Sequence, residues 1–460
     1  MTHFHLIGIG GTGLSAIAKV LLERGETVSG SDRSESALAQ SVRAAGGVVY
    51  IGHHAGNIAD AEVVIRSSAI PDDNPEVVAA LAAGLPVLKR VDFLGDLLAE
   101  QQVIAVAGSH GKTSTTAMLA WLLSAINAEP GFIAGGMVRD LDTNASAGAG
   151  EHFVIEADEY DYMFWGLNPQ VAVVTNVEHD HPDLFPTAES FTAAFEGFVD
   201  RIKPGGWLVA CLDDSGAREL IRYAREKGVQ VRTYSLGDNQ AYILARNIDA
   251  NPGAGYAFDV HRDGEFWINA RLDVPGMHNV QNALGALLAL HLLGFDAAEA
   301  ADHLPEFSGA RRRFEIRGEA RGVLVVDDYG HHPTEIRATL AAARARYPAH
   351  RIWAVWQPHT WSRSQQLRRE FSEAFGDADR VLVTPVYASR ETQPEGYNHA
   401  AFVAGIDHDD VRLIDSLDEA AETLVIETRP RDVVITFSAG DATQISQALL
   451  AGLRNGELAQ

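Results

Sequence analysis

The 460-residue chain holds a single cysteine, Cys211, so it can form no internal disulfide. A chain so poor in thiols suits a reducing compartment, and a cytoplasmic protein is expected. No apolar run approaches the roughly 18–20 residues of a spanning helix, so no membrane insertion is expected. Met1-Thr2-His3-Phe4-His5 leads straight into a strand pattern, with neither basic leader nor cleavage site, and no targeting segment is expected. Basic charge is scarce as well. Against 62 Asp and Glu stand 37 Lys and Arg, a net charge of −25, which argues against a nucleic-acid or anionic-membrane partner. It leaves open an anionic small molecule held at a local site. Internal repeats, heptads and low-complexity tracts are absent too.

What is present reads as three blocks of alternating strand and helix. In residues 1–98, strands at 4–8, 27–30, 63–67 and 86–89 alternate with helices at 14–23 and 74–83. Residues 99–308 hold strands at 103–107, 153–157, 171–176 and 207–211 and helices at 115–124 and 279–293. They also hold a hairpin, 256–260 with 266–272, whose turn carries Asp263-Gly264. In residues 309–460, strands at 323–327, 352–356, 381–386, 411–414 and 433–437 alternate with helices at 334–346, 365–375, 417–426 and 442–453. Such alternation predicts an α/β fold with parallel, doubly wound sheets.

The motif with most chemistry is Gly108-Ser109-His110-Gly111-Lys112-Thr113-Ser114, between a strand and a helix. A loop so placed aims backbone N–H groups and a helix N-terminus at phosphate. Lys112 suits the outer phosphates, and the Thr113 hydroxyl suits Mg²⁺. The usual first glycine of such a loop is replaced by Val106. A second glycine loop, Gly8-Ile9-Gly10-Gly11-Thr12-Gly13, has Asp32 downstream. That is the dinucleotide fingerprint, and a nicotinamide dehydrogenase must be weighed. Chemically it requires only a diphosphate close to backbone amides and an acceptor for a ribose or base, which a UDP moiety also satisfies.

Three polar clusters end predicted strands, where ligands bind in α/β sheets. Glu156-Ala157-Asp158-Glu159-Tyr160-Asp161 offers carboxylates suited to Mg²⁺. Thr175 to Asp183 gathers Glu178, His179, Asp180, His181 and Asp183. His-x-His could indicate zinc, but the lone cysteine and the phosphate loop favour Mg²⁺. Asp327 to Thr334 and Gln357 to Ser364 should face one crevice, and their Asp328, His331, His332 and Arg363 suit an amino acid bearing both charges. Asn279 and Asn282 share a helix face and suit an adenine edge, with helix capping the alternative for Asn279. Arg311-Arg312-Arg313, beside the second block boundary, can bring a cation to a transferring phosphate if domains close.

Together these motifs resemble the Mur ligase family over essentially the whole chain. The landmarks are GIGGTG at Gly8, SSAI at Ser67, GSHGKTS at Gly108, EADEYD at Glu156, TNVEHDHPD at Thr175, GMHNVQNA at Gly276, DDYGHHPTE at Asp327 and QPHTWSRS at Gln357. The offset phosphate loop is the family's own form. The resemblance implies an N-terminal Rossmann-like domain for a UDP-sugar, a central P-loop ATPase and a C-terminal Rossmann-like domain. It implies ATP and Mg²⁺ as cofactors, UDP-N-acetylmuramate and L-alanine as substrates, amide formation through an acyl phosphate, and a monomer or homodimer.

By residue, it implies Gly108, Ser109, His110, Gly111, Lys112, Thr113, Ser114, Asn279 and Asn282 for ATP, and Thr113, Glu156 and His181 for the metal. Gly8, Gly10, Gly11, Gly13, Asp32 and Ser68 match the UDP-sugar site. Arg313 or Arg312 matches a phosphate contact, and Asp328, His331, His332 and Arg363 the amino-acid end. Several relatives carry a carbamylated lysine after the DH element. Asp180 to Arg201 contains no lysine, which excludes that device and fits the alanine-adding branch. Thr360 stands where some of that branch carry arginine, so carboxylate recognition is expected from Arg363. The alternative in the same class is a recycling ligase that attaches an intact tripeptide. An ATP-driven binding switch without ligation is a third reading.

Overall fold

The computed structural model describes residues 1–251, 255–389 and 391–457. Three sheets follow one another along the chain. The first is parallel throughout, in the order Val48–Ile51, Thr27–Asp32, His3–Ile7, Val63–Arg66, Val87–Leu88. The chain reverses direction across the sheet beside His3–Ile7, so the glycine loop after that strand lies at a switch point.

The second sheet has ten strands. Gln102–Ala107 lies inside it, between Val171–Val174 and His152–Glu156, with both neighbours parallel. Ile243–Asn251, Gly255–Arg262 and Glu265–Leu272 extend one edge as an antiparallel meander. The expected hairpin turn is there: Asp263 at φ 50° and Gly264 at φ 84° are both left-handed, as a two-residue hairpin requires. The third sheet runs Glu315–Ala320, Val323–Asp328, Asp432–Phe437, Arg351–Trp356, Arg380–Val383, Val411–Leu413, and only its first pair is antiparallel.

Near-continuous apolar strands produce this architecture, because a parallel sheet covered by helices buries both faces. Along Gln102–Ala107, Val103, Ala105 and Ala107 enter one core and Ile104 and Val106 the other. The first of these cores also takes in Leu6, Ile17 and Val28, so the N-terminal and middle sheets share apolar packing. In the third sheet Val326 and Ile435 face one core, Val325 and Val434 the opposite one.

One helix differs from expectation. Residues 365–375 are not a single helix; Trp361–Gln366 and Arg368–Ser372 are separated at Leu367, whose φ of −100° and ψ of 25° leave helical geometry. Arg363 before the break and Phe371 after it are both buried.

Candidate active site

The phosphate loop joins Gln102–Ala107 to the helix Lys112–Ala125. Gly108 has φ 138°, and a Cβ there would lie 2.0 Å from Thr175 Oγ1, so only glycine lets the strand end turn against the neighbouring loop. The Thr175 hydroxyl donates to the His110 carbonyl at 2.6 Å, and the His110 amide donates to Asn176 Oδ1 at 2.8 Å. The loop is therefore shaped from outside as well as by its own glycines.

Lys112 Nζ donates to the Gly108 carbonyl at 2.6 Å and meets Glu159 at 2.9 Å. Burial works against its charge, but Glu159, Asp158 and Glu156 outweigh it and hold the pKa above the ordinary lysine value. Glu159, fully buried, also pairs with His181 Nε2 at 3.4 Å. Sequence reasoning gave it no role of its own beyond membership of the acidic cluster. Thr113 Oγ1 donates to Glu156 Oε1 at 3.1 Å, and the Gly135 amide donates to Glu156 Oε2 at 2.7 Å. Burial pushes the Glu156 carboxyl above its usual range, against the pull of Lys112. A partly buried hydroxyl–carboxylate pair whose charge is poorly solvated fits a hard dication such as Mg²⁺. Of the expected metal set the structure brings Thr113 and Glu156 together, while His181 meets Glu159 on the same cleft.

Among the described residues, His110, Glu178 and His332 are the one group of three whose donor atoms converge within 4.8 Å. The Thr334 amide donates to His332 Nδ1 at 3.3 Å, so the proton sits on Nε2 and the ring's one lone pair is already engaged. His110 instead bridges two carboxylates, Glu178 at 3.0 Å and Glu335 at 3.5 Å. The group reads as a contact between the middle and C-terminal sheets.

Glu335 is the hub of that contact. One oxygen accepts from the His331 and His332 amides at 3.0 and 3.2 Å and lies 3.3 Å from His331 Nδ1. The other faces Arg313 Nη1 at 3.3 Å and His110. Its sequence signal was available: His332, Pro333 and Glu335 form a capping box on the helix Pro333–Arg346. Asp328 accepts from the Phe314 and Gly330 amides, and burial outweighs these bonds and Arg313, pushing its pKa up to about 6. Arg312 and Arg313 both lie against one ring, their guanidinium carbons 4.9 and 5.1 Å from the Tyr329 centroid. Arg312 donates to the Ser438 and Gly440 carbonyls and lines the larger of the two cavities described next, and Arg313 lines both.

Two cavities meet at the phosphate loop. A cleft of about 1040 Å³ is lined by Lys112, Thr113, Glu156, His181, His331 and Arg363, with Gly13 and Arg90 from the first sheet's unit. A pocket of about 550 Å³ on the other side is lined by His110, Asn279, Asn282, Tyr234, Phe307 and Asp328. Gly111 and Arg313 line both. Asn282 Nδ2 donates to Asn279 Oδ1 at 3.1 Å, and Asn279 Nδ2 to the Pro275 carbonyl at 2.7 Å, so both amides are oriented before any ligand arrives.

Of the other residues expected at the UDP-sugar, Gly8, Gly10, Gly11, Asp32 and Ser68 are not among those lining the large cleft. Asp32 accepts from the Gly10 amide at 2.9 Å and braces the glycine loop. Ser67, rather than Ser68, packs against Gly8. Arg90, which had no motif to reveal it, lies against Gly13 and donates to Asp158 at 3.1 Å.

Three family models match the chain: the Mur ligase family, catalytic domain, over residues 3–102; the Mur ligase middle domain over 106–290; and the Mur ligase, glutamate ligase domain, over 312–440. The chain is similar to the UDP-N-acetylmuramate–L-alanine ligase of Roseiflexus sp. (strain RS-1), 43% identical over 98% of this chain and 99% of that protein. Among solved structures it is similar to the UDP-N-acetylmuramate–alanine ligase of Thermotoga maritima, with a TM-score of 0.84 and 28% identity over 100% of both chains. It is also similar to a murein peptide ligase from Psychrobacter arcticus, with a TM-score of 0.72 and 26% identity over 99% of each.

Proposed function

Because the chain belongs to the Mur ligase family, we propose that it joins L-alanine to the lactyl carboxylate of UDP-N-acetylmuramate, driven by ATP and releasing ADP and phosphate. The observation that carries this reading is the cleft of about 1040 Å³, whose walls bring the phosphate loop together with His331 and Arg363 of the third sheet's unit.

A carboxylate is a poor electrophile, and its phosphorylation supplies a leaving group. The γ-phosphoryl passes to the lactyl carboxylate, and the bond to the β-phosphate breaks as ADP leaves. Lys112 and Arg313 face the charge that builds on that group. Mg²⁺ held by Thr113, Glu156 and His181 would supply further positive charge there. Asn279 and Asn282 hold the adenine in the smaller pocket. The loop Gly8 to Gly13, with Asp32 and Ser68, holds the uridine diphosphate. Arg363 takes the alanine carboxylate, so the amine is delivered to the acyl carbon and phosphate is expelled.

We assign these roles to units 1–98, 99–308 and 309–460, and place the reaction in the cytoplasm, in keeping with one buried cysteine. Among the described residues no helix is long and apolar enough to cross a membrane. The test is phosphate release with ATP and UDP-N-acetylmuramate, offering L-alanine and the intact tripeptide in turn. Alanine alone should support turnover. Release with the tripeptide only would assign the recycling reaction instead, and release needing no amino donor would indicate a switch.

A further inference from the structure

The ligation reading leaves one step without an agent: an amino acid arrives as an ammonium ion, which has no lone pair to add to an acyl carbon. The ring of His331 lines the cleft beside Arg363. Its Nδ1 lies 3.3 Å from the Tyr329 carbonyl oxygen and 3.3 Å from Glu335 Oε2. Both oxygens only accept, so Nδ1 carries the proton and Nε2, on the ring's other edge, carries the lone pair. The hydrogen bond to the Tyr329 carbonyl sets the tautomer, and the Glu335 charge beside Nδ1 favours a proton at that same nitrogen.

We infer that Glu335 is a positioning residue for the ligation step, holding His331 with Nε2 as the acceptor of the ammonium proton. This rests on the ligase reading above. The ammonium gives one proton to His331 Nε2, and the freed lone pair forms the N–C bond at the acyl carbon. The C–O bond to phosphate then breaks with its electron pair on the phosphate, and the second N–H proton leaves with that phosphate.

Glu335 can do this because the rest of its surroundings are fixed. Arg313 and His110 occupy its other oxygen, and the amides of His331 and His332 hold the first. Burial and the Arg363 charge hold the His331 pKa well below its ordinary value, so the ring is uncharged, and the Glu335 charge acts against them and strengthens the ring as a base. The carboxylate is nearly inaccessible, with 10% of its side chain exposed. The competing role is helix capping alone. Glu335→Gln separates the two, since a glutamine oxygen still accepts from both amides but carries no charge.

The decisive experiment compares alanine with hydroxylamine as the nucleophile. Hydroxylamine is uncharged at neutral pH, needs no proton acceptor before attack, and traps an acyl phosphate as a hydroxamate. In Glu335→Gln, amide formation with alanine should fall about 100-fold, the scale of general-base assistance, while hydroxamate formation stays within about 3-fold of wild type. Glu335→Asp should recover part of the alanine rate. Equal loss with both nucleophiles overturns the inference and assigns Glu335 to phosphoryl transfer through Arg313, and no loss with either overturns it and leaves Glu335 as a cap. If the wild-type protein forms no hydroxamate at all, the acyl-phosphate reading falls first and takes the inference with it.

Discussion

Arg363 donates through Nε and Nη2 to a single oxygen of Asp180, at 3.1 and 2.9 Å, across 183 residues of chain. Both side chains are at least 95% buried. Burial would raise the Asp180 carboxyl, but Arg363, then His181, His331 and His332, hold it well below the usual carboxylate range. The pair links the segment after Val171–Val174 to the helix Trp361–Gln366, so the arginine assigned to the alanine carboxylate is aimed by another part of the molecule.

Removing Asp180 therefore leaves a guanidinium buried and misdirected, and breaking such a pair costs about 3–5 kcal/mol. Asp180→Ala should raise KM for alanine about 10-fold or more, well beyond any change in KM for UDP-N-acetylmuramate. Initial-rate kinetics with each substrate varied in turn will show this. An unchanged alanine KM would mean that Arg363 does not depend on Asp180 for its position.

Lys112 is held by the Gly108 carbonyl and by Glu159, and it lines the large cleft. Lys112→Ala should lower phosphate release about 10²–10³-fold or more, as expected for loss of a cation opposite developing charge. UDP-N-acetylmuramate binding, followed by calorimetry, should stay close to wild type. Retained turnover would remove Lys112 from phosphoryl transfer.

The parts of this site legible in the sequence are those whose chemistry is local. A glycine loop between strand and helix announces itself, because the turn, the helix end and Lys112 are contiguous. The same holds for strand ends rich in carboxylates and histidines. Glu159 was legible only as one acid among several, because its partners Lys112 and His181 come from two other loops. Arg90 was invisible, since Gly13 lies 77 residues away in sequence and the contact with Asp158 is made only when the N-terminal and middle sheets pack together. The strands Gly131–Val138, Thr143–Ser146 and Glu315–Ala320 also went unread. Glycines interrupt the first, polar or charged residues fill the other two, and pairing with a neighbour decides their conformation.

Gly135 offers a test of the metal assignment that spares every ligand. A Cβ at this position would fall 2.5–2.7 Å from the Glu156 carboxylate. Gly135→Ala must displace that carboxylate while leaving its chemistry intact. The Mg²⁺ concentration giving half-maximal rate should rise about 10-fold, the lower range for disturbing a ligand's support, and saturating Mg²⁺ should restore most of the rate. A titration with an unchanged midpoint would exclude Glu156 from holding the ion.

His110 makes the contact between middle and C-terminal units dependent on pH. Burial alone would lower its pKa, but hydrogen bonds and charge from Glu178 and Glu335 prevail and raise it from 6.5 to about 9. Glu178 is drawn down to about 2 by the same contact, against its own burial, so it stays charged through the range in question. Glu335 likewise lies well below its usual value. Since the native pKa exceeds the unfolded one, the stabilisation is complete below about 6.5 and is lost as pH rises through about 9. The wild-type thermal midpoint should therefore exceed that of His110→Gln by several degrees at pH 6, and this margin should shrink steadily toward pH 9 and beyond. Gln keeps a hydrogen-bonding side chain but cannot carry the charge, so the shrinking margin isolates the imidazolium. A margin that is constant across the range would show that the two glutamates do not hold His110 protonated.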